Sequence, residues 1–136
     1  MSANTHARLI RAIAVAVVAI VFIPYIWGYF NAPPGMTYMG FADHPYDQNS
    51  YLSRIQQASE GNFFIRRDFT LEYQRPLFFN PLTWTLGIVA RYSRLSPLAV
   101  YHGALAFYAF LLLYVIYWFI GIFTKDRRER TFAFAL

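Results

Sequence analysis

Two long stretches of the chain have no charged side chain, and a mixed segment separates them. The first runs from Ala12 to Ala42 and contains the apolar stretch Ala12 to Phe30. The second runs from Leu98 to Phe123. A helix needs about 20 apolar residues to cross a hydrocarbon core roughly 30 Å thick, so each stretch predicts one membrane-spanning helix, over 12–30 and 98–123. Arg8 and Arg11 precede the first stretch, and Tyr25, Trp27, Tyr29 and Phe30 close it. A basic anchor on the cytoplasmic side and an aromatic belt at the far interface produce this arrangement. A cleaved signal peptide is the alternative. Its apolar core is shorter, however, and small residues occupy the cleavage site, where this chain has Trp27, Tyr29 and Phe30. Pro24 falls near the far end of the first span, where a kink is expected.

Ser96-Pro97 opens the second span with a capping side chain and a residue suited to the first helical position. Lys125, Arg127, Arg128 and Arg130 follow it and predict a cytoplasmic basic turn over 124–130. Both spans therefore point their basic ends inward, which places residues 1–11 in the cytoplasm and the 31–97 segment outside. The segment Thr131 to Leu136 turns apolar again and reads as the start of a third span, with a short cytoplasmic tail as the alternative. On the first reading the sequence is the front part of a longer polytopic chain.

Within 31–97 the polar and apolar positions predict two short helices. From Asp47 to Glu60, Tyr51, Leu52, Ile55 and Ala58 share one helical face, and Gly61 is a natural stop. Residues 63–79 mix aromatic and charged side chains without period and read as extended or irregular. Asn80-Pro81 then starts a helix near 81–95, with Phe79 and Trp84 as a hydrophobic staple. Leu82, Leu86, Val89 and Leu95 are its expected apolar face, laid along the membrane surface. The fold class is thus an all-α membrane protein: two transmembrane helices, a structured extracytoplasmic loop with short amphipathic helices, and the start of a third span.

Composition agrees with this picture. The 136 residues are 57% hydrophobic, 21% aromatic and 14% charged, against about a quarter charged in soluble domains. The absence of cysteine excludes disulfides, thiolate nucleophiles and iron–sulfur clusters. The formal charge of +5 comes mostly from basic residues beside apolar runs, so it points to membrane lipids as partners and not to nucleic acid.

Chemistry is expected in the loop, which holds the carboxylates Asp43, Asp47, Glu60, Asp68 and Glu72. Asp47 can act as a general base on an acceptor hydroxyl or serve simply as the N-cap of the helix that follows. Asp43 is a further substrate contact or a turn residue before Pro45. Asp43, His44 and Asp47 leave a divalent cation possible but lack a further ligand, so no metal residues are assigned. His102 reads as a packed or interfacial histidine. Arg54, Arg66, Arg67 and Arg75 are candidates for an anionic partner, because guanidinium forks match phosphate oxygens. Attraction to lipid headgroups or pairing with Asp68 and Glu72 is the alternative. No Gly-rich phosphate loop, nucleophile elbow or paired-histidine zinc motif is present.

The run Asp47-Gln48-Asn49-Ser50-Tyr51-Leu52-Ser53-Arg54-Ile55, then Gly61, then Arg75-Pro76-Leu77-Phe78-Phe79-Asn80-Pro81 and Leu86-Gly87, resembles the amino-terminal portion of GT-C glycosyltransferases. The nearest groups are relatives of the protein O-mannosyltransferases and the lipopolysaccharide-modifying glycosyltransferases. The resemblance covers about residues 12–123. It implies an enzyme of the bacterial inner membrane that takes a sugar from a polyprenyl-phosphate donor to an extracytoplasmic acceptor. It also implies that Asp47 is the catalytic acid residue, with Tyr51 and Gly61 belonging to the helix that follows it; with these, Asp43, Gln48, Tyr51, Arg66, Arg67 and Arg75 are the expected substrate contacts. Many members carry Asp-Glu where this chain has Asp47-Gln48, which removes a second carboxylate. A non-enzymatic two-span protein whose loop binds a partner or lipid headgroups is the alternative. The start of a transporter is a weaker one, because transport sites lie near the bilayer midplane and these spans offer only His102, near an end.

Overall fold

The computed structural model describes residues 3–66 and 72–135. Among them are five helices and no strand: α1 (Ala3–Phe30), α2 (Pro45–Ser59), α3 (Pro81–Ser93), α4 (Pro97–Phe123) and α5 (Arg127–Ala135). Both α1 and α4 are long and apolar enough to cross a membrane. No residue in the most apolar stretch of α4 is buried, and almost none in that of α1. Helices with such open apolar surfaces are not core helices of a water-soluble fold. The chain divides into two compact units, one formed by residues 1–27 and 105–136 and the other by residues 28–104.

In the first unit, polar side chains at the basic end join three helices. His6 is 7% exposed. Its Nε2 lies 2.7 Å from the Tyr117 hydroxyl on α4, and its Nδ1 lies 3.2 Å from Thr131 Oγ1 on α5. Thr131 donates its own hydroxyl proton to the Arg127 carbonyl at 2.8 Å, which leaves His6 Nδ1–H as the donor to Thr131. Arg130 donates from Nε and Nη2 to the Tyr117 carbonyl at 3.0 and 2.8 Å, with its guanidinium carbon 3.9 Å from the Tyr117 ring centroid. The expected basic turn over 124–130 is therefore shorter. Asp126 caps α5 by accepting from Arg128 N at 2.8 Å, as a short carboxylate side chain does well at a helix start. Arg127, Arg128 and Arg130 lie in the helix itself.

The second unit is built around α2 and α3. The N-terminal half of α3 follows its local signals. Asn80 Oδ1 accepts from Thr83 N at 3.0 Å, and Pro81 takes the first position. Phe79 and Trp84 pack with ring centroids 6.3 Å apart, the contact expected of a staple. The buried face of α3 is a different one from that expected. Thr83, Gly87 and Ala90 are buried, whereas Leu82 and Val89 are each 46% exposed and Leu95 lies beyond the helix. Close approach is the cause. A Cβ at Gly87 would fall 2.8 Å from the Ile55 carbonyl oxygen and would collide with the Ala58 methyl. Small residues on α3 let the α2 backbone come near, so Ile55 and Ala58 become fully buried, Leu86 stays half-buried, and Leu82 and Val89 turn outward.

The ends of α2 are fixed differently. At its C-terminus Gly61 takes φ +104, Gly61 N donates to the Ala58 carbonyl at 3.0 Å and Asn62 N donates to the Gln57 carbonyl at 3.1 Å. This is a Schellman stop at the expected glycine. At its N-terminus Asp47 is not the cap. His44 is, in the left-handed region at φ 44 and without a side-chain cap bond. Pro45 has a preset φ and needs no donor, so it starts the helix two residues earlier. Asp47 stands in the first turn, where its carboxylate complements the helix dipole.

The flanking chain of this unit folds back on it. Met36 N donates to the Pro33 carbonyl at 3.0 Å in a turn, the Tyr38 ring covers Gly28 and meets Tyr29 edge-on, and the Gly40 carbonyl accepts from His102 at 2.9 Å. His102 is thus a packed histidine with a backbone partner.

Candidate functional site: two grooves beside α2

The irregular segment after α2 is held by a side chain acting as a strand edge. Gln57 Oε1 accepts from Arg66 N at 2.9 Å, and Gln57 Nε2 donates to the Arg66 carbonyl at 3.0 Å. One residue earlier, Ile65 N donates to the Phe78 carbonyl at 2.8 Å in an isolated antiparallel bridge, and Ile65 is buried. Phe63 stacks on Phe79 at 4.7 Å and meets Trp84 at 5.7 Å, and the Arg54 guanidinium lies 4.7 Å from the Phe78 ring centroid. Within the segment expected to be extended or irregular, specific contacts therefore hold residues 63–66 and 78–79.

These contacts shape two grooves. A polar one of about 450 Å³ runs beside the C-terminal half of α2, with Ser53, Gln56 and Glu60 on the helix side and Phe64, Tyr73 and Gln74 opposite. Arg66 also borders it. An apolar one of about 530 Å³ is lined by Ile65, Leu77 and Phe78, with Arg75 and Gln74 at its polar margin. Gln74 belongs to both. Both volumes fall in the usual range for small-molecule sites, about 300–1,000 Å³.

The sequence-selected residues divide between this region and the start of α2. Asp43, Asp47 and Gln48 cluster at the start. Asp43 Oδ1 accepts from His44 N at 2.8 Å, Asp43 Oδ2 lies 2.6 Å from His44 Nδ1, and the Gln48 amide donates to the Asp43 carbonyl. Asp47 is exposed and borders neither groove. Tyr51 is 41% exposed and packs beside Arg54, whose guanidinium carbon is 5.6 Å from its ring centroid. Arg66 and Arg75 stand at the grooves. Arg67, with Asp68, lies outside the described residues.

Among the described residues no three histidine or acidic side chains converge. Gln56, Gln57, Tyr73 and Gln74 are functional candidates that only the structure brings forward. The available signal is the polar repeat Asn49, Ser53, Gln56 and Glu60, which marks a second face of α2 at helical spacing. Compared with known proteins, the chain matches no family model, no curated protein and no solved structure.

Proposed function

We propose that the protein supplies the first two spans and the outer loop of a membrane glycosyltransferase that moves a sugar from a polyprenyl-phosphate donor to an extracytoplasmic acceptor. In this reading α1 and α4 span the bacterial inner membrane, the N-terminus is cytoplasmic and the α2–α3 unit faces outward. A third span begins within α5. The observation that carries the reading is the Arg75 groove. A guanidinium at the margin of an Ile65, Leu77 and Phe78 surface matches a ligand with an anionic phosphate joined to a hydrocarbon chain. The resemblance of the Asp47 to Pro81 segment to GT-C enzymes supports the same reading.

The chemistry divides among named residues. Asp47 takes the proton of the acceptor hydroxyl as its oxygen attacks the anomeric carbon. The bond from that carbon to the phosphate oxygen breaks, the new glycosidic bond forms, and the electron pair leaves on the lipid phosphate. Arg75, with Arg66, holds that charge. Asp43 and Gln48 fix the chain around Asp47, and Tyr51 stands one turn further along the same helix.

The test uses the full-length protein in nanodiscs with a polyprenyl-phosphate donor carrying a radiolabelled sugar. The expected result is transfer of label, with Arg75→Ala raising the donor KM about tenfold, the equivalent of one charge-assisted contact. Transfer with an unchanged donor KM in Arg75→Ala would remove the groove from donor binding.

A further inference from the structure

The polar groove does not end at Ser53. A second hollow of about 540 Å³ continues along the same helix, lined by Asn49, Leu52, Ser53, Gln56, Ser96 and Leu98. Ser53 and Gln56 belong to both hollows, so one trough follows α2, polar toward Glu60 and more apolar at its Asn49 end, where Leu52 and Leu98 line it. Its helix wall is a ladder of carboxamides and hydroxyls at successive turns, with Glu60 as the one carboxylate of that wall. Gln56 Nε2 donates to Glu60 Oε1 at 2.7 Å, which orients both groups on the wall. On the opposite side, Phe64 and Tyr73 offer exposed rings, 51% and 86% accessible.

This lining selects a chemical class. Amides and hydroxyls present both donors and acceptors, as a chain of vicinal hydroxyl groups requires. The exposed rings suit the apolar C–H face of a pyranose, since an aromatic side chain contributes a large apolar surface. A nucleotide or phosphopeptide would require a denser cluster of cations than Arg66, the one cation among the described residues that line the trough. A lipid tail would require an apolar lining throughout, which the Arg75 groove has and the Gln56 to Glu60 end of the trough does not. The Gln57 bonds to both polar atoms of the Arg66 backbone hold the far wall in place before any ligand arrives, which lowers the ordering cost of binding.

We infer that the trough along the polar face of α2 binds a linear saccharide of several residues, with Tyr73 as its stacking platform. Saccharide binding follows from the lining alone, and the assignment of that saccharide as the acceptor rests on the glycosyltransferase reading above. Gln74 lines both the trough and the Arg75 groove.

The experiment applies the full-length protein, in nanodiscs free of maltoside detergent, to an array of defined di- to hexasaccharides and titrates the retained ones by calorimetry. Tyr73→Ala and Gln74→Ala are expected to weaken binding about tenfold each, the scale of a well-placed interface contact. Tyr92→Ala, on the exposed side of α3, should leave it unchanged. Retention of no oligosaccharide, or equal affinity in Tyr73→Ala and the parent, overturns the inference. Saccharide binding without sugar transfer from any polyprenyl-phosphate donor keeps the trough and removes the glycosyltransferase reading. Transfer that Tyr73→Ala and Gln74→Ala leave intact does the reverse.

Discussion

The two ends of α2 carry different kinds of chemistry. At its start stand Asp43, Asp47 and Gln48, exposed or half-exposed, with Asp43 tied to both His44 and Gln48 through short-range bonds. Its last turns are enclosed by chain that returns from residues 63–66 and 73–78, and the grooves are there. A carboxylate can be exposed and still react, but it needs something to hold the reacting partner nearby. The start of α2 offers the reactive group, and the later turns offer the surfaces that recognise a ligand. The polar groove begins at Ser53, six residues along α2 from Asp47. At about 1.5 Å per residue that separation is roughly 9 Å along the helix axis.

Stability is also divided along this helix, and substitutions can probe the division. The largest expected effect is at Ile55, which is fully buried between α2 and α3. Ile55→Ala should destabilise the unit by about 2–5 kcal/mol through lost transfer energy and a residual cavity. Limited proteolysis of loop 31–97 in nanodiscs should show faster cleavage, whereas loss of protection confined to α1 would place the core elsewhere.

Gly87→Ala comes next. The added methyl meets the Ile55 carbonyl and the Ala58 methyl, so the helices must separate at a cost of about 1–3 kcal/mol. The same proteolysis should report it, and the paired substitution Ala58→Gly should recover part of the loss. No recovery would mean that the contact is not the source. The smallest effect belongs to the cap. Asn80→Ala should cost about 1 kcal/mol, since the backbone amide of the buried Thr83 loses its acceptor. Thermal unfolding followed by tryptophan emission, with Trp84 in the first turn, is the readout.

These cases also show what is legible in the sequence. The starts of α3 and α4 and the stop of α2 are readable because each depends on neighbours within three or four residues: Asn80-Pro81, Ser96-Pro97 and Gly61. The start of α2 reads two residues too late because Asp47 is a good capping residue, although Pro45 has already set the helical φ. The buried face of α3 is hidden because hydrophobicity ranks Leu82 and Val89 above Gly87, while the packing favours whatever lets two backbones approach. The grooves are out of reach, since their walls come from Ser53 and Gln74 and are brought together by long-range contacts such as those of Gln57 and Ile65. The joint of the first unit is hidden for the same reason, because His6 and Thr131 are 125 positions apart.

The contrast between the two ends of α2 also bears on which carboxylate reacts. Asp47 has the position that the resemblance assigns to the catalytic residue, and Glu60 lines the trough that a saccharide would fill. Donor turnover by full-length protein carrying Asp47→Asn or Glu60→Gln, measured in parallel with confirmed membrane insertion, separates them most directly. Asp47→Asn is expected to lower kcat by about 10²–10⁴, the range of a lost general base, while Glu60→Gln acts mainly on the acceptor KM. Full turnover in Asp47→Asn together with loss in Glu60→Gln would contradict this assignment and move the reactive carboxylate into the trough.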